Sequence, residues 1–240
     1  MSHSPAIHLH PTAPLAERVL LPGDPGRALA LAQALLEQPR MFNHNRGLWG
    51  YTGTAPDGEP LTIQATGMGG PSAAIVLAEL IALGARRAIR VGTCGALADE
   101  LRLGELVIAR EALCADGTSR ALGAGERAHA DLGLTDALAR HAADARVGTV
   151  VSVDLFYETG VATPVGEASG ARSHVADAVA VEMEAATLFA AGARVGVPVG
   201  CVLAVSDAFD GDGARTRIDE LALLAAAEAM GAAAIAALSD

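Results

Sequence analysis

The chain alternates short apolar runs with clusters of glycine, proline and polar residues, and that alternation lays out its elements. Val19-Leu20-Leu21 is a short apolar run halted by Pro22-Gly23-Asp24-Pro25, and a helical pattern follows over 27–36. Residues 51–54 and 61–66 read as two strands of a hairpin turned at Pro56-Asp57-Gly58. Pro71 suits the first turn of a helix that runs to residue 83. Further strands are expected at 88–92, 106–109, 147–153 and 199–205, and helices at 134–143, at 182–193 and from 216 towards the end. The Gly-, Pro- and Ser-rich stretch 161–173 reads as a loop. Strands alternating with helices predict an α/β fold, with a parallel or mixed sheet covered by helices on both faces. No internal repeat or linker interrupts the pattern, so residues 1–240 are expected to form a single domain.

Composition narrows this picture. Hydrophobic residues fill 51% of the 240 positions and charged ones 19%, enough for one sizeable core. Aromatics are only 3%, so that core must be built from small aliphatic side chains with helices packed close to the sheet. The net charge of −11 repels nucleic acid and anionic membranes, and neither is expected as a partner. An anionic substrate would need a local cluster of arginines working against the overall field. Cys94, Cys114 and Cys201 are odd in number and widely spaced, which fits neither a disulfide framework nor a zinc site. No metal-ligand cluster is visible, and a cytoplasmic location is expected. The N-terminus shows no secretory pattern. The apolar stretch 221–238 is near the length of a membrane span, but it is mostly alanine and carries Glu228; it reads as a packed C-terminal helix.

Candidate chemistry recurs where strands end. Arg90-Val91-Gly92-Thr93-Cys94-Gly95 follows an apolar run and combines a planar fork of donors, a hydroxyl and glycines that let backbone N–H groups approach a ligand. That combination suits an oxyanion such as phosphate. Gly23 and Arg27 follow the first strand in the same way. Gly67-Met68-Gly69-Gly70-Pro71-Ser72 resembles a dinucleotide loop, but Ser72 stands where Gly or Ala is wanted, and Arg86 and Arg87 stand where an acidic residue should. Val181-Glu182-Met183-Glu184 can accept two sugar hydroxyl protons and pack a methionine on the sugar's apolar face, or simply cap a helix. Ser206-Asp207 closes the strand at 199–205 and places a carboxyl group to act as an acid. Asp210-Gly211-Asp212-Gly213 looks faintly like a calcium loop but lacks the closing glutamate. Each motif alone admits an ordinary structural explanation. In open α/β sheets, however, ligands bind at strand carboxyl ends, and recurrence there carries weight.

Taken in order, these segments resemble the nucleoside phosphorylases, nearest to the hexameric purine nucleoside phosphorylases of bacteria. The resemblance rests on residues 19–27, Asn45-Arg46-Gly47 with Gly50-Tyr51-Thr52-Gly53, 66–72, 89–96, Asp154-Leu155-Phe156-Tyr157, 181–186 and Val205-Ser206-Asp207. It implies a central, partly barrel-like mixed sheet flanked by helices. It implies a phosphate site of Gly23, Arg27, Arg90 and Thr93, completed by Arg46 from a neighbouring subunit. Met183 and Glu184 would hold the ribose hydroxyls, and His8 of a neighbour, or His10 close by, would reach the 5′-hydroxyl. The base would sit near Cys94, Gly95, Phe156, Val181, Glu182 and Ser206. Asp207 would be the general acid at purine N7, helped by Arg215 or Arg217; counting back from the C-terminal helix favours Arg215. The implied assembly is a homohexamer, a trimer of dimers with Arg46 and His8 crossing the interface. Inorganic phosphate would be the co-substrate, with no cofactor and no metal.

The same scaffold serves uridine phosphorylases, but these usually carry a Gln and an Arg after the Phe-Tyr pair, where this chain has Glu158-Thr159-Gly160. A nucleosidase would not need the arginines, and a non-catalytic nucleoside-binding protein would not need an acid at 207.

Overall fold

The computed structural model describes residues 6–157, 177–209 and 215–240. The expected loop at 161–173, the Glu158-Thr159-Gly160 tripeptide and the 210–213 run lie outside the described residues.

Strand β1 (Arg18–Leu21) leads through Asp24 into helix α1 (Pro25–Leu35). The Asp24 side chain caps that helix by accepting from the Arg27 N–H at 2.6 Å. Strand β2 (Glu37–Asn43), a single 3-10 turn at Asn45–Gly47, and the hairpin β3 (Gly50–Thr54) and β4 (Pro60–Gln64) follow. Helix α2 (Gly70–Leu83) then returns the chain to the long strand β5 (Arg87–Ala96). The middle of the chain supplies β6 (Leu106–Cys114), α3 (Gly117–Ala121), β7 (Arg127–His129), α4 (Leu132–His141) and β8 (Arg146–Ser152). The last part supplies β9 (Ala178–Glu182), α5 (Ala185–Val195), β10 (Val199–Phe209), β11 (Arg215–Arg217) and α6 (Glu220–Ser239).

The eleven strands among the described residues join one mixed sheet. Strands β10, β6, β8, β9 and β5 pair in that order, and β5 pairs back onto β10, so five strands close into a small barrel. From β5 the sheet opens outward through β1, β4, β3 and β2. Strand alternation explains the near-continuous apolar runs, because both faces are covered. Val19 and Leu21 join a cluster with Leu77, Leu80, Leu188 and Phe189 of α2 and α5. Leu20 faces the other way, with Leu31, Leu138 and Met230 of α1, α4 and α6. The alanine-rich composition permits close helix contacts. At Gly231 of α6 an added Cβ would lie 2.3 Å from Leu35 Cδ1 of α1, so glycine here makes room for the leucine side chain between the two helices. Helix α6 is long and apolar enough to cross a membrane, yet half of its apolar window is buried and it packs on α1, α4 and β5.

Two helices start later than the sequence-based expectation. The helix expected at 182–193 begins at Ala185 instead, because 178–182 pair as a strand with β8 and β5. The Glu182 carboxylate then caps the helix from the strand end, accepting from the N–H groups of Glu184 (2.8 Å) and Ala185 (2.9 Å). The last helix begins at Glu220, not near 216. Asp219 caps it through the Ala222 N–H, while 215–217 pair antiparallel with β10.

Candidate active site

Strands β4, β1, β5 and β10 run parallel as successive neighbours, so their carboxyl ends open on one edge of the sheet. The Pro22–Arg27 turn, the Gly67–Ser72 turn, the end of β5 and Ser206-Asp207 all emerge there. The first two turns are zipped together, with the Thr66 N–H donating to Pro22 C=O (2.8 Å) and the Gly67 N–H to Gly23 C=O (3.0 Å). Strand β9 runs antiparallel to β5, with Val181 opposite Gly95, and delivers Glu182, Met183 and Glu184 to the same edge.

Arg90 is the hub. Its side chain is buried; Nε donates to Glu182 Oε2 at 3.0 Å, and Nη2 lies 2.5 Å from Glu184 Oε2. Nη1 has no partner among the described residues. The guanidinium folds back over its own strand, where a Cβ on Gly92 would stand 2.7 Å from Cζ. Glycine at 92 is therefore a packing requirement of this arginine's pose. Burial alone would lower the Arg90 pKa, but Glu184 and Glu182 raise it above the ordinary arginine value. Arg27 stands half-buried within Coulombic reach. Burial lowers its pKa, and the positive charge of Arg90 adds to that against the pull of Asp24 and Glu184. Two cations that repel each other, one with an unsatisfied buried N–H, form an arrangement that an anion would relieve.

Glu184 links this hub to the glycine turn, its Oε1 accepting from the Gly69 N–H at 2.6 Å. Glu182 is enclosed more tightly. Besides Arg90 and the helix N–H groups, it accepts from the Ser152 hydroxyl. Burial pushes its carboxyl up from the ordinary range, against the opposing pull of Arg90.

Along the edge, β10 carries a bulge. Val205 pairs with Cys94 and Asp207 with Gly95, leaving Ser206 as the extra residue that re-aims the strand end. The Ser206 hydroxyl lies 2.7 Å from Asp207 Oδ2 and 3.2 Å from the Cys94 carbonyl. Arg215 Nη2 lies 2.9 Å from Asp207 Oδ1, at ion-pair distance but off the hydrogen-bonding direction. Arg217, although directly opposite Asp207 in register, reaches only to 4.0 Å and is exposed. The Arg215 guanidinium also lies 5.3 Å from the centre of the Phe156 ring, which puts an aromatic face beside the acid. Cys94 is buried, its Sγ 3.7 Å from Ala204 C=O, and burial raises its pKa.

The structure thus brings together Gly23, Arg27, Arg90, Cys94, Gly95, Val181, Glu182, Glu184, Ser206 and Asp207, with Arg215 and Phe156 at the rim. Thr93 is half-buried beside them, paired with Ala204, and Met183 is half-buried between the two glutamates. His8 and Arg46 make no contact with this group among the hydrogen bonds and ion pairs of the described residues. Arg46 is exposed in a left-handed conformation (φ 58°). The His8 ring Nδ1 lies 2.7 Å from Glu79 Oε1 of α2, and His10 is exposed. Sequence reasoning did not single out Glu79, Ser152 or the packing role of Gly92. Glu79 had one signal: it is the only charged residue of α2. No group of three or more His, Cys, Asp or Glu suited to a metal ion occurs among the described residues.

Residues 17–239 match the family model described as the phosphorylase superfamily. Curated relatives include the DeoD-type purine nucleoside phosphorylases of Oceanobacillus iheyensis, 38% identical with 80% of this chain and 83% of the relative covered, and of Geobacillus kaustophilus, 38% identical with 82% and 83% covered. That of Alkaliphilus metalliredigens is 36% identical with 84% and 87% covered. The chain belongs to the phosphorylase superfamily, and within it to the family of DeoD-type purine nucleoside phosphorylases.

Proposed function

We propose that this chain catalyses the reversible phosphorolysis of purine ribo- and deoxyribonucleosides, yielding free base and (deoxy)ribose 1-phosphate. The observation that carries the reading is the pairing, on one sheet edge, of an arginine hub with an orphan buried N–H and a carboxyl group backed by an arginine. Phosphate is held by Arg27, by Arg90 and by backbone at Gly23 and Thr93. Within one chain the charges of Arg27 and Arg90 are matched by Glu182 and Glu184. A dianion therefore gains from a further cation, and Arg46 of a second copy supplies it in a hexameric assembly.

In the reaction a phosphate oxygen attacks C1′ while the C1′–N9 bond breaks. The ribosyl group passes through a cationic state that the phosphate stabilises from beneath. Glu184, held by the Gly69 N–H, is placed to accept the ribose hydroxyls with Met183 packed alongside. The bond's electron pair flows into the purine, and Asp207 delivers a proton to N7. The resulting aspartate anion faces Arg215, which stabilises it and promotes the transfer. Phe156, Val181, Cys94 and Gly95 border the base. No step needs a cofactor. The three cysteines are buried and unpaired, which supports a reducing, cytoplasmic setting.

Initial rates with inosine, adenosine and uridine at saturating phosphate test the substrate class. Purine nucleosides are expected to exceed uridine by about tenfold or more, because no side chain after Tyr157 provides a uracil-reading amide. Faster cleavage of uridine would replace this reading with a uridine phosphorylase.

A further inference from the structure

Three consecutive backbone N–H groups and one imidazole converge on a single carboxylate. Glu79 accepts from the N–H of Ile7 (3.1 Å), His8 (2.9 Å) and Leu9 (2.8 Å), and its Oε1 lies 2.7 Å from His8 Nδ1. An ionised carboxylate only accepts, so Nδ1 carries the proton and Nε2 is left as the free end of the ring. Burial would raise the Glu79 pKa, but these donors hold it below the ordinary value, so the anion is the resident form. The same segment is tied to the Arg46 turn. The Asn45 side chain donates to His8 C=O (2.9 Å), and Asn43 Oδ1 accepts from the N–H of His10 (2.9 Å) and Asn45 (3.3 Å). The segments that carry the two residues proposed to cross the interface are therefore hydrogen-bonded to each other, and the His8 segment is anchored on α2.

We propose that Glu79 is a positioning residue that fixes the tautomer and direction of His8, so that Nε2 meets the nucleoside 5′-hydroxyl in a neighbouring copy. This rests on the phosphorolytic reading and on the trans placement of His8. Glu79 acts in the partner's site without touching substrate, and the interface is a functional element of each site.

The test compares inosine with 5′-deoxyinosine, which lacks the hydroxyl. Glu79→Gln leaves one acceptor oxygen where four donors converge. It is expected to lower kcat/KM for inosine about tenfold, the loss shrinking to about twofold or less on 5′-deoxyinosine, with the phosphate KM unmoved. His8→Ala should show the same substrate dependence, and the double variant should lose no more than the worse single one. If Glu79→Gln does not accumulate folded, Glu79→Asp, which keeps the charge and shortens the reach, serves the same comparison. Equal losses on both substrates, or additive losses with His8→Ala, would overturn the positioning role. A His8→Ala enzyme that treats both substrates as wild type does would overturn it too. In each of these outcomes wild-type phosphorolysis of inosine still stands; failure of the wild type on every purine nucleoside would instead refute the function itself.

Discussion

Arg215 and Asp207 face each other from adjacent antiparallel strands, with Nη2 2.9 Å from Oδ1. Arg217 is the direct cross-strand partner of Asp207, yet its guanidinium turns to solvent and stays 4.0 Å away. The diagonal residue, not the register partner, therefore stands at ion-pair distance from the Asp207 carboxyl. Arg215→Ala should lower kcat for inosine about tenfold to a hundredfold, and Arg217→Ala by about twofold at most. Steady-state kinetics of the two variants decide between them. A larger loss from Arg217→Ala would reverse the assignment.

Asp207→Asn keeps the shape and removes the transferable proton. Turnover of adenosine should fall about 10²- to 10⁴-fold, with little change in the KM for phosphate. Turnover close to that of wild type would remove Asp207 from the mechanism.

Arg90 depends on Gly92 for its pose, since a Cβ there would meet the guanidinium at 2.7 Å. Gly92→Ala should raise the KM for phosphate in the same direction as Arg90→Ala, and combining the two should add little. A phosphate curve unchanged in both variants would contradict the anion site. A Gly92→Ala effect confined to the nucleoside KM would show that the displaced guanidinium serves the sugar instead.

Arg18, Asp57 and Ser239 tie the β3–β4 turn to the end of α6. Arg18 Nη1 and Nη2 reach the two Asp57 oxygens at 2.5 and 3.0 Å, and the Ser239 hydroxyl donates to the same carboxylate at 2.5 Å. The hydrogen bonds from Arg18, helped by Ser239, hold the Asp57 pKa below the ordinary carboxylate value. The folded pKa thus lies below the unfolded one. The stabilisation is fully present at neutral pH and is lost as pH falls through the carboxylate range. Because Asp57 is exposed and its pairing is screened by solvent, Asp57→Asn should cost at most about 1 kcal/mol at pH 7 and progressively less towards pH 3, measured by denaturant unfolding. A cost that does not change with pH would separate the carboxylate charge from this stabilisation.

The clustering at the candidate site is legible in the sequence where its parts sit at the points at which apolar runs give way to glycine and proline. The ends of β1, β5 and β10 are local signals, and parallel pairing then brings them to one edge. Other parts depended on distant partners. Strand β9 was hidden because a short Ala-Val-Ala-Val run next to Glu-Met-Glu resembles the head of a helix; its strand character comes from pairing with β8 and β5. Strand β11 is Arg-Thr-Arg, with no apolar pattern at all, and is defined only by β10. Glu79 shows nothing of its role locally, since its partners lie about 70 positions away in the chain.

The most direct measurement incubates the protein with inosine in the presence and absence of inorganic phosphate and quantifies hypoxanthine, ribose and ribose 1-phosphate. The expectation is base release only with phosphate, with one ribose 1-phosphate formed per hypoxanthine and a rate that saturates as phosphate rises. Hypoxanthine released at the same rate without phosphate, accompanied by free ribose, would contradict it.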